Sequence, residues 1–119
     1  MPEVTVLHAA ETLDEVTPWG RLRWKASAAL GNAEALTVGI CEITPGHANP
    51  RHHHPNCTEV LHVLHGVIVH TFGDTEVEMT VGDVITVPPN LVHNARNIGE
   101  DTAILAICFD SARRLTVGE

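Results

Sequence analysis

Turn-forming residues divide this chain at short, regular intervals, and that punctuation limits its fold more than any other feature. Turn signals fall at Pro18, Gly31-Asn32, Pro45-Gly46, Asn49-Pro50, Pro55-Asn56, Gly66, Gly73-Asp74, Gly82-Asp83, Pro88-Pro89-Asn90 and Gly99. Gly and Asn supply left-handed backbone there, and Pro fixes φ for a turn. Between the turns lie short runs rich in Val, Ile, Leu and Thr. The predicted strands are Leu22–Ser27, Leu36–Ile43, Glu59–His65, Val67–Phe72, Glu76–Thr80, Val84–Val87, His93–Ile98 and Ala103–Phe109. Turns spaced by about 8–12 residues are the signature of an all-β sandwich or barrel. A helix is expected only over Ala9–Val16. In the first of these strands Leu22, Trp24 and Ala26 share one face and read as core, while Arg21, Arg23 and Lys25 form a solvated face.

Size and charge narrow the class. The chain has 119 residues, 44% of them hydrophobic, with no repeat or linker, so residues 1–119 are expected to form one domain. The formal charge is −8, and the densest basic stretches are Arg21-Leu22-Arg23-Trp24-Lys25 and Arg113-Arg114. A nucleic-acid binder needs a face that neutralises phosphates, so no nucleic-acid partner is expected, and no anionic membrane either. No apolar run approaches the roughly 20 residues of a membrane helix. The start, Met1-Pro2-Glu3-Val4-Thr5, lacks the basic and apolar segments of a signal peptide. Cys41, Cys57 and Cys108 are odd in number and form no Cys-x-x-Cys pair. Reduced thiols in a cytoplasmic protein are the expectation.

The chemistry-bearing segment is the histidine-rich turn. Of nine histidines, His47, His52, His53, His54, His62 and His65 fall between positions 47 and 65. On a strand His52 and His54 point to the same face, close enough for two imidazoles to converge on one cation, and His53 points away. Pro55-Asn56 then turns the chain, and Glu59 opens the returning strand. The hairpin thus presents two nitrogens and one carboxylate to one place. His93, after Pro88-Pro89-Asn90, is the candidate fourth ligand. The alternatives from residues alone are a solvated histidine-rich loop and, for His93, a structural histidine.

These residues resemble the cupin family. Gly46, His52, His54, Glu59 and Gly66 stand at the intervals of the family's first motif. Gly82, Pro88, His93 and Asn97 stand at those of the second, with Asn90 where Gly is usual. Asn tolerates left-handed backbone, so the turn is expected to survive. The motifs cover 46–66 and 82–97, about a third of the chain.

The resemblance implies an all-β double-stranded β-helix, a jelly-roll barrel, with a short N-terminal extension. It implies His52, His54, Glu59 and His93 as ligands of one divalent transition metal (Fe, Mn, Ni, Co, Cu or Zn), and a homodimer. Three imidazoles and a carboxylate suit any of these metals. A small-molecule substrate is then the expected partner. Dioxygenase-type chemistry on a small oxygenated metabolite leads, because three-His-one-Glu cupins include acireductone, oxalate and quercetin enzymes. An isomerase or lyase acting on a sugar or hydroxy acid, and a non-catalytic ligand-binding module, are the alternatives. With no Tyr in the chain, acid–base work falls to His, Glu59 or metal-bound water.

Other side chains are read more plainly. His65 is a solvated strand end, and His62 and His70 belong to the outer face or the pair interface. Cys57 is a loop residue rather than a redox thiol. Arg51 points away from the ligands and makes a poor carboxylate clamp. Asn97 acts either behind His93 or at its own strand end. The inner strands predict a mainly apolar pocket with a single polar focus at the metal.

Overall fold

The computed structural model describes residues 3–119, so Met1 and Pro2 of the N-terminal stretch read above lie outside the described residues. The strands in chain order are β1 (Leu13–Thr17), β2 (Gly20–Ala26), β3 (Thr37–Ile43), β4 (His52–His53), β5 (Glu59–His65), β6 (Val67–Phe72), β7 (Thr75–Thr80), β8 (Val84–Val87), β9 (His93–Asn97), β10 (Ala103–Phe109) and β11 (Val117–Gly118). They form two antiparallel sheets. One has six strands in the order β1-β2-β3-β10-β5-β8, the other five in the order β11-β4-β9-β6-β7. This is the expected jelly roll. Among the described residues no helix is long and apolar enough to cross a membrane.

Alternation sets the inner faces. Along β3, Thr37, Gly39, Cys41 and Ile43 are buried, and along β10, Ala103, Leu105, Ile107 and Phe109. Cys41 and Ile43 of β3 and the four of β10 form one continuous core with Trp24, Leu61 and Val63 from the same sheet and Ile68, Met79 and Ala95 from the other. Each large aliphatic side chain so buried contributes about 1.5–3 kcal/mol of transfer free energy. On β2 only Trp24 of the expected core face is fully buried. Its outward neighbours pair across the sheet, Arg21 with Glu42 at 2.8 Å and Arg23 with Asp14 at 3.5 Å. Half-solvated pairs of this kind add little stability.

The helix expected over Ala9–Val16 is not formed. A single 3₁₀ turn occupies Ala9–Glu11, and Leu13–Thr17 is instead a strand hairpinned to β2, with Leu13 opposite Trp24 and Thr17 opposite Gly20. Pairing along the β2 edge outweighs the weak helix propensity of an exposed segment. The pairing also brings Glu15 to the Trp24 indole, whose Nε1–H donates to Glu15 Oε1 at 2.9 Å.

Two polar turn residues tie the sheets together. Asn90 has φ 69°, the only positive φ outside glycine among the described residues. The tolerance expected of Asn at this turn is what the backbone uses. Its N–H donates to the carbonyl of His54 at 3.0 Å, joining the second motif to the first. Asn97 is buried and serves its own strand end. Its Nδ2 donates to the carbonyls of Ile43 and Asp101, each at 2.8 Å, and its Oδ1 accepts from Gly99 N–H at 2.8 Å. Of the two roles open to Asn97, the structure supports the strand-end one. Asn97→Ala strands the buried Ile43 carbonyl and should cost about 2–4 kcal/mol in urea unfolding. Metal affinity should be unchanged. A stability loss under about 0.5 kcal/mol would contradict this role.

Candidate metal centre

The two sheets bring the ligand candidates to one point. His52 lies on β4 directly opposite His93 at the start of β9, within one sheet. Glu59 opens β5 in the other sheet, opposite Phe109 and Val87. His54 leaves β4 two residues after His52 and is buried. One ligand atom from each of His52, His54, Glu59 and His93 lies within 4.8 Å of the others. Donors about 2.0–2.2 Å from a single ion stand about 3–4.4 Å apart, so the set needs only slight contraction to close on one. His53 takes no part in the cluster, as its parity predicted.

Each ring is held from behind by its Nδ1. His52 Nδ1 is 2.7 Å from the Pro50 carbonyl, and His54 Nδ1 is 2.9 Å from the Leu115 carbonyl. A carbonyl can only accept, so each Nδ1 carries a proton, and in the neutral rings Nε2 is then a bare lone pair. His93 Nδ1 lies 2.9 Å from His70 Nε2, and the two rings stack nearly parallel.

The inner atoms are left without partners. His54 Nε2, Glu59 Oε1 and His93 Nε2 are buried and make no hydrogen bond. Yet Oε1 stands 3.2 Å from His54 Nε2 and 3.3 Å from His93 Nε2. Lone pairs packed this closely in an apolar site require a proton or a cation between them. Protonation is opposed at His93. Burial, with the neighbouring imidazoles adding to it, pulls its pKa down to about 4 against the pull of Glu59. Burial likewise lowers His52 and His70. Burial alone would raise Glu59. The contact with His54 and the pull of His93 and His52 outweigh it, so the carboxyl stays below its ordinary range. Near neutrality the cluster therefore holds an ionised carboxylate facing an uncharged His93, the state a divalent cation needs.

The cluster opens into a cavity of about 320 Å³. Its walls include Trp24, Cys41, Leu61, Leu105, Ile107 and Phe109, the apolar lining expected of the inner strands. Cys41 is a protonated thiol, pushed up to about 12 by burial and then by Glu59. The Cys57 thiol is buried and also raised, by burial first and then by Asp110, which fits a packed residue rather than a redox thiol. Arg51 spends its donors on Glu119 Oε1 (3.1 Å), Thr71 Oγ1 (3.1 Å) and the Gly73 carbonyl (3.0 Å), as its parity suggested. His65 is exposed, 3.8 Å from Asp101, at its solvated strand end.

Two functional residues differ from their sequence reading. His70, expected on an outer face or a pair interface, is fully buried behind His93. Ile68, Val69 and His70 are buried in succession, so β6 offers no alternation to reveal which way His70 faces. Arg114 gives the cavity a second polar focus where one was expected. It lies beyond the last long strand, in a segment with no periodicity, and only the Arg113-Arg114 doublet marked it.

A jelly roll that converges three histidines and a glutamate from both sheets is the architecture of a metal-site cupin. The chain belongs to the cupin family: the family model described as Cupin domain matches residues 39–109. Among curated relatives it is 31% identical over 85 residues to germin-like protein 3-8 of Oryza sativa subsp. japonica, covering 67% of this chain and 38% of that protein. It is 35% identical over 78 residues to germin-like protein subfamily 3 member 2 of Arabidopsis thaliana, covering 58% of this chain and 34% of that one. The fold matches oxalate decarboxylase of Bacillus subtilis with TM-score 0.83 at 20% identity, over 92% of this chain and 30% of that chain. Oxalate decarboxylase of Lactobacillus farciminis matches with TM-score 0.83 at 22% identity, over 93% and 34%. The chain thus spans between about a third and two fifths of the length of these germin-like relatives.

The shifts on the cluster predict a pH dependence for metal-free protein. As pH falls below about 6.5 the unfolded chain takes up a proton on His93, which the folded chain accepts only near about 4. Stability is therefore lost as pH falls through that window and regained as it rises. The lowered Glu59 acts in the same direction, its contribution being lost as pH falls through its folded pKa. Thermal melts in chelator should show Tm rising from about pH 5 to about pH 7. A Tm that is flat or falls across this range would contradict the burial of uncharged His93.

Proposed function

We propose that the protein is a metal-dependent enzyme acting on a small oxygenated metabolite, with dioxygenase-type chemistry at a divalent transition metal held by His52, His54, Glu59 and His93. The observation that carries this reading is the convergence of unpartnered Nε2 and Oε1 atoms on one buried point. Manganese leads among the metals the donor set accepts, because the structurally similar oxalate decarboxylase of Bacillus subtilis has Mn(II) centres. A bound metal of this kind supplies Lewis acidity and, where it is redox-active, electrons for oxygen chemistry.

The chain's own residues prepare that site. The Pro50 and Leu115 carbonyls fix the tautomers of His52 and His54, so neither ring needs to reorient to present Nε2. A lone pair on His93 Nε2 requires its proton on Nδ1, donated to His70 Nε2, and His70 then carries its own proton on Nδ1. The apolar walls lower the local polarity and strengthen polar interactions at the cluster. Glu59 is the buried carboxylate of the cavity, so acid–base work there falls to it, to the histidines or to metal-bound water. A second reading, lyase chemistry without oxygen, is favoured by the decarboxylase names of the structural relatives.

Protein loaded separately with Mn(II) and Fe(II) and screened against enediols, diketones and hydroxy acids in an oxygen electrode separates these readings. Turnover that consumes oxygen supports the first, and turnover that persists anaerobically supports the second. Glu59→Ala and His54→Ala should each lower turnover at least about 100-fold with the strand circular-dichroism signal retained. Full activity in both variants would show that the chemistry lies elsewhere.

A further inference from the structure

Arg114 is a cation with most of its donors unspent, set into the wall of the cavity. Its Cζ lies 4.2 Å from the centroid of the Trp24 ring and 5.1 Å from that of Phe109. The Phe109 ring in turn meets the His54 ring edge-on at 5.0 Å, so a single aromatic ring separates the guanidinium from a ligand histidine. A guanidinium resting on aromatic faces is held by the ring quadrupoles and keeps its N–H edges free. Of five donors, one is used, from Nη1 to Thr116 Oγ1. Among the described residues no carboxylate comes within ion-pair distance of Arg114. Glu15 and Glu59 are the acids nearest in effect. Glu15 accepts from the Trp24 indole, and Glu59 faces the histidines.

Resting on the reading of the cluster as a metal site, we propose that Arg114 is the specificity-determining residue for a carboxylate on the far end of the substrate, so that the cavity takes a small dianionic acid with one end at the four-ligand cluster and the other on the guanidinium. A planar carboxylate matches two parallel N–H groups of one guanidinium. A phosphate dianion fits less well, because it calls for further donors and the other guanidinium lining the cavity, Arg51, is already spent.

The test is calorimetric titration of Mn(II)-loaded protein with malonate, succinate and glutarate, each against the monocarboxylate of equal length: propionate, butyrate and pentanoate. On at least one rung the wild type should prefer the diacid by about tenfold or more, the worth of a charge-assisted hydrogen-bonded pair. Arg114→Gln should reduce that preference to less than about threefold, with monoacid binding and manganese stoichiometry unchanged, and Arg114→Lys should retain part of it. A preference that survives in Arg114→Gln, or no preference on any rung in protein that holds manganese, overturns the proposal. If the protein holds neither manganese nor iron, cobalt, nickel, copper or zinc, it is the reading of the cluster that fails. Arg114 is then tested alone in metal-free protein by the indole N–H resonance of Trp24, one of two indoles in the chain. A shift on adding succinate or glutarate that vanishes in Arg114→Gln supports a carboxylate site, and no shift overturns it.

Discussion

Lone pairs that repel one another are packed into a buried part of this molecule, and much of the surrounding structure serves to keep them there. Glu59 Oε1 stands within 3.3 Å of two imidazole nitrogens whose protons are held on the far side of their rings or whose protonation is opposed by burial. In water such atoms would turn outward. Here His54, Glu59 and His93 are each buried, and the carbonyls behind His52 and His54 prevent the rings from flipping to relieve the contact. A fold gains nothing from such an arrangement unless a cation occupies its centre.

The supporting elements are economical. The first motif contributes a strand of only two residues, β4, which is paired to β9 on one side and β11 on the other. That pairing places His52 opposite His93. The left-handed Asn90 carries its N–H to the His54 carbonyl, tying together two connections that each cross from one sheet to the other; β4 and β5 lie in different sheets, so the hairpin expected at Pro55-Asn56 is such a crossing. The C-terminal segment then closes over the cluster. Leu115 holds His54, Thr116 holds Arg114, and Val117–Gly118 pairs with β4. The same short stretch orients a candidate ligand histidine and supplies the cavity's second charge.

The sequence showed most of this where spacing alone carries the information. The bounds expected for β5, β6, β8 and β10 coincide with those found, because each is a mostly apolar run ended by Gly, Pro or a polar turn. The candidate ligands were legible in part for the same reason: i, i+2 parity puts His52 and His54 on one face with Glu59 close after the turn, while His93 joined them only through the resemblance to the cupin motifs. What was not legible depends on partners distant in sequence. Leu13–Thr17 is mostly exposed and becomes a strand only by joining an edge. His70 lies in a run without alternation, and its role exists only because β6 pairs with β9. Arg114 acquires meaning from Trp24 and Phe109, on two other strands.

The central claim is that the four converging side chains are a metal site. Its most direct measurement is anomalous diffraction at the manganese edge from crystals of the protein grown with Mn(II). The account predicts one strong peak bonded to His52, His54 and His93 through Nε2 and to Glu59 through a carboxylate oxygen, with distances of about 2.0–2.3 Å. An ordered cluster with no peak at its centre in crystals grown with a large excess of Mn(II) would contradict it.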